Sequence, residues 1–305
     1  MTELTTTTAE RPNWKAYYEI CKPKVVMLIS FTAIVGMLLS TAGMVPLQPL
    51  VFGTLGITLA AACGAAINHV VDQRIDAMMD RTRDRPVATG QLSTRAALTF
   101  ALSLGVLSML VLVVFVNQLT AVLTFVSIIG YAVIYTMYLK RTTHHNIVLG
   151  GIAGAAPPLL GWTAVRGEIH TEALLLFLII FVWTPPHFWP LAIKRKDDYA
   201  RARIPMLPVT HGVEITKLNI LLYTLVLVAV TILPFVIEMS GLIYLAGAIS
   251  LGLGFLYHVI KLYRDPGDGR AMHTFAYSIV YLNGIFIFLL LDHYARLFIR
   301  AFFLG

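Results

Sequence analysis

Residues 47–80 read LQPLVFGTLGITLAAACGAAINHVVDQRIDAMMD, an apolar run of about twenty residues that ends in oxygen-bearing side chains at every fourth position. The run is long enough to cross a bilayer as a helix, and the polar side chains at its end carry the chemistry. Asn68, Asp72, Asp76 and Asp80 are spaced four apart. At about 100° per residue, a helix turned four residues at a time places Asn68, Asp72 and Asp76 within an arc of about 80° on one face. Carboxylates stacked that way repel one another unless a cation joins them. Hard oxygen donors suit Mg²⁺ or Mn²⁺, and Mg²⁺ takes one or two carboxylates while substrate phosphates supply further ligands. Arg81, Arg83 and Arg85 come at once after Asp80, before Pro86 stops the helix, and arginine offers forked donors to phosphate oxygens. A diphosphate held through magnesium is the natural reading. The competing one is a solvated loop of mixed charge, since acids at this spacing are common on exposed helices.

Composition sets the class around that motif. The chain has 305 residues, 58% hydrophobic and 13% charged, with a mean hydropathy of +0.78. No ordinary soluble domain has that balance. Apolar runs of spanning length fall near 25–43, 47–67, 96–116, 119–139, 147–165, 172–193, 218–237, 241–260 and 273–292, so the expected fold class is an all-α polytopic membrane protein with nine transmembrane helices. Nine crossings put the N-terminus and the loops after helices 2, 4, 6 and 8 on one side, and that side carries 20 of the 23 Lys and Arg. Only Arg166, Arg296 and Arg300 lie on the other. The positive-inside rule makes the charged side cytoplasmic, as in a bacterial inner membrane, with the C-terminus outside. The net charge of +7 then reflects topology and anionic headgroups, and no nucleic acid is needed to explain it.

The Thr-rich start lacks the short apolar core and cleavage site of a secretory signal, so helix 1 is expected to be the insertion signal. Residues 1–20 are expected to be a polar tail and interfacial segment, and 21–305 a single membrane domain. Cys21 and Cys63 are the only cysteines, too far apart in depth for a disulfide, and both are assigned to packing.

The loop after helix 6 repeats the theme of acids beside bases, from Lys194-Arg195-Lys196-Asp197-Asp198-Tyr199 to Arg201 and Arg203. Should its acids meet those of the first loop, two half-sites would clamp a diphosphate; otherwise it is a basic anchor with incidental acids. Within helix 6 the run Trp183-Thr184-Pro185-Pro186-His187-Phe188-Trp189-Pro190 interrupts a membrane span around a histidine. Broken helices at membrane depth line cavities, so His187 is read as general base, haem-iron ligand or packing residue. His144 and His145 start a helix at the interface. Gly150, Gly151, Gly154 and Gly161 give helix 5 a face for close packing. Asp292 and His293 are read as interfacial residues ending helix 9.

These residues together resemble the UbiA superfamily of intramembrane prenyltransferases. The resemblance covers the chain from about residue 17 and rests on Asn68, Asp72 and Asp76, nine spans and the second charged loop. Within the superfamily the chain resembles the haem O synthase branch, through Lys22-Pro23-Lys24, Asp80 to Pro86, His144 to Val148, Pro157-Pro158-Leu159-Leu160-Gly161-Trp162, Pro186-His187-Phe188-Trp189, Pro205 to Pro208 and Ser278 to Leu282. One departure stands out: relatives with a second DxxxD have an aspartate where this chain has Ala202, and Asp197 and Asp198 are adjacent instead.

The resemblance implies a helical bundle around a central cavity, capped by cytoplasmic helical loops. It implies transfer of farnesyl from farnesyl diphosphate to a vinyl group of haem b, with water added, giving haem O and diphosphate. Asn68, Asp72, Asp76 and Asp198 would hold magnesium; Asn68, Arg81, Arg85, Lys194 and Arg201 would bind diphosphate. His145, His187, Trp189 and Tyr199 would line the haem pocket, with Asp72, Asp76, His187 and Asp198 the catalytic groups. A haem A synthase or terminal oxidase would receive the product. Two other readings compete: a prenyltransferase of the same superfamily acting on an aromatic or quinone precursor, and a divalent-cation or lipid transporter, against which stands the absence of any acid in mid-span.

Overall fold

The computed structural model describes residues 14–303; of the polar tail and interfacial segment expected over residues 1–20, the first thirteen lie outside them. Trp14–Ile20 form a short helix, α1, bent by 51° from α2, Pro23–Leu39. Pro23 occupies the first turn of α2, where its missing N–H costs nothing. The spans then run α3 Pro49–Val71, α5 Thr94–Phe115, α6 Gln118–Thr142, α7 Asn146–Arg166, α8 Thr171–Lys194, α11 Gly212–Val236, α12 Leu242–Arg264 and α13 Ala271–Phe303. Between them sit three short helices, α4 Gln73–Asp76, α9 Lys196–Arg201 and α10 Leu207–Thr210. With α1 and α2 taken together as one bent span, nine spans stand among the described residues where nine apolar runs are, and the protein is an integral membrane protein.

Local sequence sets the boundaries. Ser93 caps α5 by accepting from Ala96 N at 3.2 Å, and Asn117 caps α6 by accepting from Thr120 N at 2.9 Å. Gly167, at φ +72°, ends α7 in the left-handed conformation that a side chain would strain. Exposed Leu102, Val106, Leu110, Val113 and Val114 give α5 a face suited to lipid.

Three departures from the sequence reading concern helix continuity. The helix carrying the carboxylates does not run to Pro86: α3 ends at Val71, Asp72 sits at φ −87°, ψ 3°, and α4 is a single turn ending at Asp76. Bonds from Asp72 N to Asn68 O (2.9 Å) and Asp76 N to Asp72 O (2.8 Å) nonetheless preserve the four-residue stacking. Conversely, α8 is not broken by Pro185, Pro186 and Pro190 but runs unbroken through them. Neighbouring helices hold it on several sides, which is how membrane helices tolerate internal prolines. Asp292 and His293 likewise do not end the last helix, which continues to Phe303.

The small-residue face expected on 147–165 packs as its composition suggests. A Cβ added at Gly161 would lie 1.9 Å from Ala33 O, and one at Gly36 2.1 Å from Pro158 O, so α2 and α7 touch backbone to backbone. Cys63 is buried and unpaired, its Sγ packed against Gly105, and Cys21 is also free.

Candidate active site

One end of the bundle gathers Lys22, Asn68, Asp72, Asp76, Arg85, Thr136 and Lys140. Asp72 is 0% and Asp76 2% exposed, an unusual depth for carboxylates that face no solvent. Asp72 Oδ2 accepts from Lys140 Nζ at 2.5 Å and from Asn68 Nδ2 at 2.7 Å. Asn68 Oδ1 accepts from Lys22 Nζ at 2.5 Å, and Asp76 Oδ2 from Arg85 at 2.7 Å. Both buried acids thus meet a cation, which answers the repulsion that the spacing creates. Asp72 Oδ1 is the exception: it is buried with no hydrogen-bond partner, and the Arg141 guanidinium lies 3.9 Å away.

Two local distortions build this end. Ten residues near the end of α6, Gly130–Leu139, are π-helical, and Thr136 Oγ1 donates to Tyr131 O five residues back. The widened turn brings Thr136 to 3.4 Å from Asn68 Nδ2 and aims Lys140 at Asp72, as π-helical segments often do at functional sites. Gly150 leaves room for the ring of Tyr135, which a Cβ there would meet at 2.2 Å. Lys22 holds φ +51°, a conformation few residues outside glycine adopt, with its side chain tied to Asn68. Beside it Arg141 donates to Val71 O at 3.0 Å, placing a cation at the C-terminal end of α3.

The second charged loop meets the first. Arg201 bonds to Asp198 and, at 2.7 Å, to Asp80, so the two loops are joined across the mouth of the site. Asp198 is 7% exposed and also lies 3.6 Å from Arg195. Tyr199 is buried beside it; burial pushes its phenol above the ordinary range, against the pull of Arg81 and Arg195 nearby. Arg81 itself is exposed. Lys194 turns away from both motifs and pairs with Asp268 at 3.4 Å. Among the described residues no three His, Cys, Asp or Glu side chains converge as a protein-only metal site. Asp198 is therefore not added to Asp72 and Asp76 in one cluster. What remains suits a hard cation that draws its other ligands from phosphate: amide and carboxylate oxygens, with one buried carboxylate oxygen unpartnered.

His187 lies on the α8–α13 seam, and the structure records none of the carboxylate-end residues as its partner. Its ring stacks on Trp183 (centroids 4.1 Å apart) and Phe275 (4.7 Å), and Nδ1 lies 2.6 Å from Ser278 Oγ. Ser278 spends its one proton on Phe275 O at 2.6 Å, so Nδ1–H must be the donor and Nε2 keeps its lone pair. Trp183 Nε1 donates to Ser278 O at 2.8 Å and fixes the same turn. Trp189 packs edge-on to Tyr223, 5.3 Å away, with a buried indole N–H lacking an acceptor. His145 is exposed and packs at a tilt against His144, 4.0 Å away, which also meets His211 at 4.3 Å. Burial and the two neighbouring imidazoles lower the pKa of His144.

Lys22, Lys140, Thr136 and Ser278 are the contacts that the motifs alone did not assign. A lysine preceding proline and another at the end of a span are visible in the sequence, but nothing there says that they meet Asn68 and Asp72.

The model of the UbiA prenyltransferase family matches residues 29–289. The chain is similar to the protoheme IX farnesyltransferase of Thioalkalivibrio sulfidiphilus, 62% identical over 295 residues, covering 97% of this chain and 98% of the relative. It is also similar to that of Nitrosococcus oceani, 58% identical over 294 residues, covering 96% and 98%. Among solved structures, one described for a digeranylgeranylglyceryl phosphate synthase superposes with a TM-score of 0.78 at 18% identity, over 92% of this chain and 98% of that one. A UbiA homologue from Archaeoglobus fulgidus bound to GPP and Mg²⁺ gives 0.64 at 16% identity, over 90% and 99%.

Proposed function

Since the chain belongs to the UbiA prenyltransferase family and is a prenyltransferase, we propose that it transfers farnesyl from farnesyl diphosphate to a vinyl group of haem b, with addition of water, releasing diphosphate and haem O. Support for the acceptor comes from relatives named protoheme IX farnesyltransferase at 62% and 58% identity over nearly the whole chain. The observation that carries the donor half is Asp72, fully buried, cation-paired through one oxygen and unpartnered at the other.

Asn68, Asp72 and Asp76 would hold Mg²⁺, which supplies positive charge against the leaving diphosphate. Lys22, Lys140 and Arg85 surround the same oxygens and add donors for phosphate. Arg81 and Arg201 complete the rim, with Asp198 orienting Arg201 across the mouth. As the C1–O bond ionises, these cations hold the charge that accumulates on diphosphate, leaving an allylic cation at C1. The haem vinyl group attacks that cation, and the positive charge formed beside the pyrrole is captured by water. His187 meets the acceptor through Nε2, as the base for that water or as an iron ligand; its tautomer is fixed by Ser278. His145, Trp189 and Tyr199 are assigned to the haem side, with the buried Trp189 N–H available to an acceptor oxygen. The carboxylate end faces the cytoplasm in this reading, as the lysine and arginine asymmetry requires, and residues 21–305 act as one domain.

The test is to incubate the purified protein in lipid with haem b, farnesyl diphosphate and Mg²⁺, with and without chelator, and to look for hydroxyethylfarnesyl haem by mass spectrometry. Chelator-sensitive product is expected. Binding of farnesyl diphosphate without product would move the acceptor to another class.

A further inference from the structure

The opposite end of the bundle holds a polar pocket of about 340 Å³ that prenyl transfer does not use. The end of α2 and the residues after it, the end of α7, the start of α8, the segment after α11 and the late turns of α13 form it, with Trp162, Arg166, His170, Glu172, Glu238 and Arg296 among its lining. Part of its wall is firmly tied. Asp292, 1% exposed, accepts from Gly241 N at 2.6 Å and Tyr244 N at 3.2 Å and pairs with Arg296 Nε at 3.2 Å. Arg296 also donates to the backbone oxygens of Glu238 and Met239, and His293 Nε2–H donates to Thr41 O at 2.9 Å.

Other groups in the pocket are not tied. Trp162 is 5% exposed, yet its indole N–H has no acceptor. His170, whose ring centroid lies 5.9 Å from that of Trp162, leaves Nε2 without a hydrogen bond, the nearest carboxylate being Glu168 at 3.5 Å. Arg166 has no ion pair among the described residues. An indole N–H can be satisfied only by an acceptor, and a guanidinium beside it favours an anionic one. Glu172 and Glu238 bring the opposite charge to the same lining, so the complementary ligand carries both an oxyanion and a cation.

Haem propionates fail on both counts. Trp162 stands sixteen residues along α7 from Asn146, about 24 Å at about 1.5 Å per residue, too far for a haem whose vinyl group meets farnesyl C1. Propionates also bring no cation for the glutamates. A phospholipid headgroup fits both and sits at the depth where these helices end. Leu174, Val236 and Leu242, exposed on the adjoining turns, offer an apolar track for acyl chains.

We propose that this pocket binds the headgroup of a zwitterionic phospholipid, its phosphate held by Trp162, His170 and Arg166 and its ammonium by Glu172 and Glu238. The reading is independent of the acceptor and donor assigned above.

To test it, the full-length protein is delipidated in detergent and titrated with phosphatidylethanolamine, phosphatidylglycerol or inorganic phosphate under native mass spectrometry. One retained phosphatidylethanolamine is expected, bound more tightly than phosphatidylglycerol. Trp162→Phe and Arg166→Gln should each weaken it about tenfold, the scale of one lost charge-assisted hydrogen bond, and Glu172→Gln should erase the preference between the two lipids. Size-exclusion profile and melting temperature serve as fold controls. Unchanged affinity in folded variants would overturn the proposal, as would equal binding of the two lipids by the unsubstituted protein. Displacement of lipid by equimolar inorganic phosphate would show a free-anion site instead and overturn it too.

Discussion

Replacing Asp72 by Asn separates what the carboxylate does for the fold from what it does for the reaction. The side chain keeps its shape but loses its charge at a fully buried position where Oδ2 now takes two donors, Lys140 at 2.5 Å and Asn68 at 2.7 Å. An amide can accept through one oxygen only, so either its NH₂ faces both of those donors or it takes the place of the unpartnered Oδ1. Lys140, 14% exposed at its side chain, then loses its carboxylate. Breaking one partner of a buried pair costs about 3–5 kcal/mol. Loss of one charge-stabilising group at the leaving oxygens should lower kcat by about 10²–10³-fold, or about 2.7–4 kcal/mol. The two effects part in the double variant: Asp72→Asn with Lys140→Met removes the stranded ammonium, so melting temperature should recover while kcat does not. The assay pairs thermal unfolding in detergent with haem O formation across a Mg²⁺ titration. If Asp72→Asn retained the rate and magnesium dependence of the unsubstituted protein, the carboxylate end would not be the diphosphate site. Equal recovery of stability and activity in the double variant would reduce Asp72 to a structural role.

Ser278→Ala frees Nδ1 of His187 and lets the imidazole exchange tautomers, so the pH profile of kcat should shift while KM for farnesyl diphosphate holds; Ser278→Thr should restore the profile, and His187→Ala should abolish product. An unchanged profile in Ser278→Ala would disconnect the pair from catalysis. Gly161→Ala places a methyl carbon 1.9 Å from Ala33 O, a backbone atom that cannot swing aside, and should cost about 1–3 kcal/mol in stability or prevent folding; a melting temperature within one degree of the original would contradict the close α2–α7 contact. Sidedness can be read with a membrane-impermeant maleimide on intact cells: Cys at Glu168 should be labelled and Cys at Asp84 should not, each in a Cys21→Ser background. The reverse pattern would invert the topology.

Nine apolar runs, the Lys and Arg asymmetry and the four-residue repeat from Asn68 to Asp76 were readable in the chain itself, because bilayer thickness and helix pitch are local rules that need no knowledge of neighbours. Those rules also located the span boundaries to within a few residues for most helices. They failed where tertiary packing overrides local preference: α8 stays helical through three prolines because surrounding helices hold it, and the carboxylate helix stops at Asp76 because the loop to Val87 folds back, with Gln73 donating to Val87 O at 3.0 Å. The partners of the acids were beyond local reading altogether. Lys140 is 68 residues from Asp72 and Lys22 46 from Asn68, and only the π-helical end of α6 and the strained turn at Lys22 bring them within 2.5 Å. Likewise the chain announced His187, but the tautomer that leaves Nε2 open depends on Ser278, 91 residues away. Sequence fixes which groups a helix presents and how they are spaced along it; which groups meet is decided by how helices remote in sequence pack, and buried charge makes those meetings energetically decisive.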